Sequence, residues 1–131
     1  MTTDERLQEK MSKLAGQLLA LTQNYRISWT ETDKENEFLY ATIKNSISIA
    51  RVSRMLSVVY IITVYNSRGT AVDSLETGSV RKDQFMMPAP WNKVLSDLHE
   101  AARKSALNVE EELDILIAAL EGEEGPVPPT G

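Results

Sequence analysis

Five strand-like segments follow one another through the middle of the chain, and the short connections between them restrict the fold most. Apolar and polar residues alternate in these segments, which is the two-residue period of a half-buried strand. The segments cover residues 25–30, 37–44, 46–50, 57–65 and 70–75. Parallel neighbours need crossover connections of about a dozen or more residues, so these connections predict an antiparallel β-meander of four to five strands.

The chain before the first strand has the period of a helix, predicted over residues 3–23. Its apolar residues recur at steps of 4, 3, 4 and 3, at Leu7, Met11, Leu14, Leu18 and Leu21. This is the a/d spacing with which two helices pair, so we interpret the stripe as a binding surface and the seam of a homodimer. Ala15 and Leu19 widen the stripe, which favours packing on the protein's own sheet instead. The pattern leaves both uses open.

A helical period returns near Trp91, after a segment, 78–90, that the sequence predicts to be irregular. One helix is predicted through about Ala106, and a second follows a capping-box pattern at Asn108 and Glu111. The predicted fold is therefore α+β, with an N-terminal helix, the antiparallel meander and two C-terminal helices in a single domain over 1–121. Residues 122–131, acidic and rich in proline and glycine, are expected to form a disordered tail.

Composition excludes several classes of protein. The 131 residues include no cysteine, so disulfides and thiolate metal sites are ruled out. The net charge of −5 argues against broad nucleic-acid binding. The longest apolar run, residues 58–62, is too short to cross a bilayer, and the first 23 residues lack the apolar region of a signal peptide. We therefore expect a cytoplasmic protein with no membrane partner.

No set of catalytic residues stands out. His99 is the only histidine and lies in the middle of a predicted helix, where a structural role is expected. The glycines form neither a phosphate-binding loop nor a dinucleotide fingerprint, and no zinc or calcium motif occurs. The sequence therefore favours a protein that is not an enzyme, and it predicts neither a cofactor nor a metal.

Charge is segregated along the chain. Residues 46–82 contain two acidic and five basic residues, whereas residues 107–131 contain seven acidic residues and no basic one. Two interpretations follow. In one, the last helix covers the sheet and neutralises its arginines within the molecule. In the other, the acidic end binds a basic partner.

Three further residues are candidates for binding. Arg51 and Arg54 fall between two apolar strands, where their guanidinium groups could hold a phosphate or carboxylate, or protect the chain from unwanted strand pairing. Trp91 follows a proline-rich connector, where it could dock a partner or cap the core. These alternatives stay open.

The order of helix, antiparallel sheet and C-terminal helices in a small acidic chain resembles the secretion chaperones that hold bacterial effectors. Those chaperones interrupt the sheet with a helix, and no motif matches, so the resemblance implies no site residue. Our first hypothesis is a non-catalytic protein-interaction module, such as an adaptor, chaperone-like or inhibitor protein, with a protein partner. The second is a small ligand-binding or enzymatic domain with a pocket between sheet and helices.

Overall fold

The computed structural model describes residues 3–82 and 85–122, without the side chains of Thr3 and of residues 79–87. The described helices are α1 (Thr3–Gln23), α2 (Asn92–Ala106) and α3 (Val109–Glu121). The strands are β1 (Thr30–Glu31), β2 (Glu37–Ala41), β3 (Ser46–Arg54), β4 (Ser57–Tyr65), β5 (Ala71–Glu76), β6 (Ser79–Lys82) and β7 (Phe85–Pro88). This arrangement confirms the predicted α+β fold.

The first five strands form one antiparallel sheet in the order of the chain, β1-β2-β3-β4-β5. In its register, Ile49 lies opposite Ile62, which in turn lies opposite Leu75. Because residues directly opposite each other share a face, the even-numbered residues of β4 point toward the helices. Both rows of β4 are largely apolar in sequence, so either could face inward, and the complete burial of Ile62 decides between them.

Helix α2 lies across this inner face, and α1 packs on α2 and on β5. The four largest fully buried side chains come from both layers: Ile49, Ile62, Leu95 and Leu98. Burial of such a side chain contributes roughly 1.5–3 kcal/mol to folding. The interior between the sheet and α2 is therefore a packed core.

The predicted first strand is mostly wrong, because residues 24–29 form a turn and only Thr30–Glu31 pair with the sheet. Tyr25 takes a left-handed conformation with φ 58°. The backbone N–H of Arg26 donates to the carbonyl of Leu21, and that of Tyr25 donates to the carbonyl of Thr22. These are the two bonds of a Schellman motif, which satisfies carbonyls at the end of α1.

Segment 78–90 also differs from the prediction. Strands β6 and β7 pair antiparallel as a separate two-stranded sheet, where irregular chain was expected. Asn92 binds the residue that precedes β6. Its side-chain amide donates to the Gly78 carbonyl and accepts from the Gly78 N–H. The predicted tail lies outside the described residues except for Gly122.

The last helix departs from the expectation that it covers the sheet. Helix α3 packs on α2, and none of its residues is buried. Asn108 does not cap it through its side chain but takes a left-handed conformation with φ 52°. This bend directs α3 away from the core, so its acidic residues do not neutralise the sheet arginines as one interpretation required.

Candidate functional site

A groove of about 960 Å³ separates α3 from the body of the molecule, and we name it the α2/α3 groove. One wall comes from the end of α1, the turn after it and α2, and the other comes from α3. Its apolar lining includes Ile27, Ala101, Val109 and Leu113. The left-handed Asn108 bends the chain between α2 and α3, and the groove lies between these two helices.

A hydrogen bond joins two residues that line this groove. The Tyr25 hydroxyl donates to Glu110 Oε2 at 2.6 Å, which joins the turn after α1 to the first turn of α3. This bond to the carboxylate raises the pKa of the Tyr25 phenol. The left-handed backbone at Tyr25 therefore terminates α1 and also places the phenol against α3.

The groove is acidic. Five carboxylates and one basic residue line it, namely Asp97, Glu100, Glu110, Glu111, Asp114 and Lys104. Two of these carboxylates have partners outside the groove, since Asp97 pairs with Lys93 and Glu100 pairs with Arg103. Arg103 lowers the pKa of Glu100 through that contact. Within the described residues, no ion pair engages Glu111 or Asp114, so their charge is available to a ligand.

Helix α3 continues the apolar surface beyond the groove. Its large apolar side chains are each about half exposed: Leu113, Ile115, Leu116, Ile117 and Leu120, at 50–60%. Soluble proteins rarely leave several such residues together in water, and contiguous exposed apolar surface marks interaction sites. The helix also has 13 residues, a length at which an isolated helix is marginal without packing.

The stripe of the first helix is used mainly inside the molecule. Met11 and Leu18 are buried in the core at 7% and 4% exposure, and Leu14 packs against that core. Leu7 and Leu21 remain exposed at the two ends of the helix. As a correction to the homodimer seam, the centre of this stripe is core that a second copy cannot reach.

Two of the candidate residues meet at Glu76. Both terminal nitrogens of Arg54 donate to its carboxylate at 3.1 Å, and the Trp91 indole N–H donates to its backbone carbonyl at 2.8 Å. Trp91 and Leu7 also line a second groove, of about 300 Å³, between α1 and β5. The guanidinium of Arg54 is therefore occupied within the molecule, so it is not the free ligand for phosphate that the sequence allowed.

Arg51 lies apart from this cluster, because alternate residues of a strand point to opposite faces. It lies opposite Tyr60 in the register, on the face that carries α2, and its side chain is exposed. The structure therefore does not bring Arg51 and Arg54 together as one anion site.

His99 is a core residue. It is 4% exposed, and its ring lies 5.3 Å from that of Phe38 and 5.4 Å from that of Tyr60. Its Nε2 lies 3.0 Å from the carbonyl oxygen of Asn36, and because that oxygen only accepts, Nε2 carries the proton. Burial lowers the pKa of this imidazole. The arrangement holds a neutral histidine in a structural position.

Among the described residues, no group of three or more histidine, cysteine, aspartate or glutamate side chains is placed to hold a metal ion. None of the described helices has the length and apolar character needed to cross a membrane.

In comparisons with known proteins, no family model, no curated protein and no solved structure matches this chain.

The residues of the α2/α3 groove were not among the candidates from the sequence. The sequence pattern places Tyr25 in a strand and Glu111 in a capping box at the start of the last helix. A signal was present in α3, where acidic residues and an apolar stripe occur together without any basic residue. That composition suits a helix that meets a basic apolar surface.

Proposed function

We propose that this protein is a non-catalytic protein-interaction module that binds a basic, apolar segment of a partner protein in the α2/α3 groove. The observation that carries the proposal is the state of α3, which has no buried residue and five half-exposed large apolar side chains. Of these, Leu113 lines the groove, and the other four extend its apolar surface along the helix. Burial of these side chains against a partner would stabilise the complex, because each fully buried leucine or isoleucine contributes roughly 1.5–3 kcal/mol.

The charge of the groove supports the choice of partner. Its lining has five carboxylates and a single lysine, which repels acidic surfaces and attracts basic ones. This sign opposes nucleic-acid binding, in agreement with the net charge of −5. An adaptor, a chaperone-like protein or an inhibitor would each use such a groove. A cytoplasmic location is part of the proposal, and imaging of a fluorescent fusion in the source cell tests it.

The second hypothesis, a ligand-binding or enzymatic domain, needs a pocket between the sheet and the helices. The side chains of Ile49, Ile62, Leu95 and Leu98 occupy the interior between the sheet and α2. The groove between α1 and β5 has a volume of about 300 Å³, less than a third of that of the α2/α3 groove and at the lower end of the range of ligand pockets. The interaction module is therefore the function that we favour.

Titration with synthetic peptides tests the proposal. The probe is a labelled amphipathic helix of leucine and lysine, and its matched control is the same helix with glutamate in place of lysine. Fluorescence anisotropy should detect binding of the lysine peptide alone, and the affinity should fall with added salt. In nuclear magnetic resonance spectra, the shifts should concentrate at Ala101, Val109 and Leu113.

The Leu113→Glu variant separates groove binding from simple charge attraction. It adds a carboxylate, so binding driven by charge alone would strengthen, whereas binding that buries apolar surface in the groove would weaken. We expect weakening. Equal binding of the two peptides by the unmodified protein, or resonance shifts located away from the groove, would contradict the proposal.

A further inference from the structure

The turn between β3 and β4 presents two large apolar side chains directly to solvent. Met55 and Leu56 form this two-residue turn, and both are fully exposed, at 103% and 104%. Met55 takes a left-handed conformation with φ 48°. Turns of this length favour Asn, Asp and Gly, because those residues tolerate positive φ. The turn therefore holds apolar residues at a place where folding alone favours polar ones.

The hairpin behind this turn is basic. Residues 46–65 contain Arg51 and Arg54 and no acidic residue. The Arg54 guanidinium is shared with Glu76, whereas within the described part of the chain no ion pair engages the Arg51 side chain. We name the exposed pair Met55 and Leu56 the hairpin tip. The hairpin that ends in this tip carries the available positive charge of Arg51, four residues before Met55 in β3.

The hairpin tip and the α2/α3 groove are complementary in chemistry. The groove offers apolar side chains beside the available carboxylates of Glu111 and Asp114. Its volume of about 960 Å³ lies at the upper end of the range of pockets that enclose drug-sized ligands, so several side chains fit inside it. The same chain thus carries both an apolar basic projection and an apolar acidic recess.

We propose that the α2/α3 groove of one copy is occupied by the hairpin tip of a second copy of this chain. The inference rests on the proposed function, because it uses the same groove and names its occupant. Pairing of two α3 helices is the alternative self-contact, and it would bring together the acidic residues of both copies: Glu110, Glu111, Glu112, Asp114 and Glu121 in each. Insertion of the tip of a basic hairpin avoids the repulsion between the acidic residues of two α3 helices.

Symmetry follows from this assignment. Each copy has one tip and one groove, so two copies that exchange tips form two identical contacts in a closed dimer. A one-way contact would instead leave a free tip and a free groove at the ends of a growing chain. Exchange of tips covers the apolar surface of the tip and of the groove in both copies, so no tip and no groove stays unoccupied.

Sedimentation velocity of the full chain, from micromolar to millimolar concentration, tests the assignment. We expect concentration-dependent association of the unmodified protein. Leu56→Glu at the tip and Leu113→Glu in the groove should each weaken the dimer at least about tenfold, as substitutions at the centre of an interface do. The matched control is Ile43→Glu, in the turn between β2 and β3, because Ile43 is 100% exposed yet far from the tip along the sheet. This control should associate as the unmodified protein does.

A mixture of the two weakened variants gives the decisive result. The Leu56→Glu chain keeps an intact groove, and the Leu113→Glu chain keeps an intact tip, so one native contact re-forms only between unlike chains. We expect the mixture to associate more strongly than either variant alone. A contact between two α3 helices would be insensitive to Leu56→Glu, and a contact between two tips would be insensitive to Leu113→Glu. Either result overturns the assignment.

The experiments distinguish failure of the hypothesis that a second copy occupies the groove from failure of the proposed function. A chain that stays monomeric up to millimolar concentration but binds the leucine–lysine peptide refutes the second copy as occupant and leaves the proposed function standing. A chain that stays monomeric and does not bind that peptide refutes both. Circular dichroism spectra of the variants show whether each is folded, and a variant that unfolds is replaced by Met55→Glu at the tip or Val109→Glu in the groove.

Discussion

At the scale of single residues, we expect His99 to make the stability of this protein depend on pH. Burial is the main cause that lowers its pKa, and the nearby positive charges of Arg51 and Arg103 act in the same direction. The hydrogen bond to Asn36 and the charge of Glu100 oppose this shift without cancelling it. The folded protein therefore favours the neutral imidazole, whereas in the unfolded chain the group titrates near its ordinary pKa of about 6.5.

The free energy of unfolding should consequently fall as the pH decreases from 7.5 to 5.5, because the unfolded chain takes up a proton that the folded protein resists. A single such proton gives a slope of up to about 1.4 kcal/mol per pH unit below the unfolded pKa. Urea denaturation at each pH measures this slope. His99→Gln retains a donor for Asn36 but does not titrate, so its slope should be flatter. Equal slopes in the two proteins would show that another group is responsible.

Among the secondary-structure elements, those with a strong and covered period were predictable from the sequence. The apolar stripe of α2 is an example, since Leu95, Leu98 and Ala102 are all fully buried. The turn after β4 is another, because Gly69 takes the positive φ of 80° that its turn favours. In these elements the local preference and the tertiary packing agree.

The segment at 25–29 shows why the spacing of apolar residues alone is insufficient to predict secondary structure. Its alternation is that of a strand, but Trp29 is buried by contacts that the sequence does not reveal. The Trp29 indole N–H donates to the Thr22 hydroxyl, and the Trp29 backbone N–H donates to the hydroxyl of Ser105. The α2/α3 groove was not predictable from the sequence for a related reason. A stripe indicates that a helix has an apolar face, as α1 and α3 both do, but not whether the molecule covers it.

The attachment of α3 should depend on Tyr25. Because α3 has no buried residue, the hydrogen bond from the Tyr25 hydroxyl to Glu110 is one of the contacts, beside packing on α2, that attach its first turn to the rest of the molecule. In the Tyr25→Phe variant we expect the α3 amides to exchange with solvent severalfold faster, with no change in the amides of α2. Hydrogen exchange followed by nuclear magnetic resonance measures both. Tyr65→Phe is the matched control, because the Tyr65 hydroxyl contacts Ser48 within the sheet. If both variants leave α3 unchanged, packing on α2 alone holds the helix.

At the scale of the whole molecule, the core and the surfaces of the two proposals lie in different parts of the chain. The core cluster draws on α1, on α2, on four strands of the sheet and on Trp29, and it includes no residue of α3. The exposed apolar residues that the two proposals use instead lie on α3 and on the turn between β3 and β4. A molecule divided in this way can change its interaction surfaces without weakening its core, which suits the proposed role as an interaction module.

Removal of α3 should therefore cost less stability than a single core substitution. A chain that ends at Asn108 loses no member of the core cluster, whereas Leu98→Ala leaves a cavity beside the sheet and should cost about 2–5 kcal/mol. Urea denaturation of the two variants compares these losses directly, and we expect the shortened chain to lose less. The same shortened chain lacks one wall of the α2/α3 groove, so it should neither bind the leucine–lysine peptide nor self-associate. Stability retained together with binding lost would assign α3 to recognition. A shortened chain that unfolds would instead make α3 part of the folding unit and remove the reason for regarding its apolar surface as reserved for a partner.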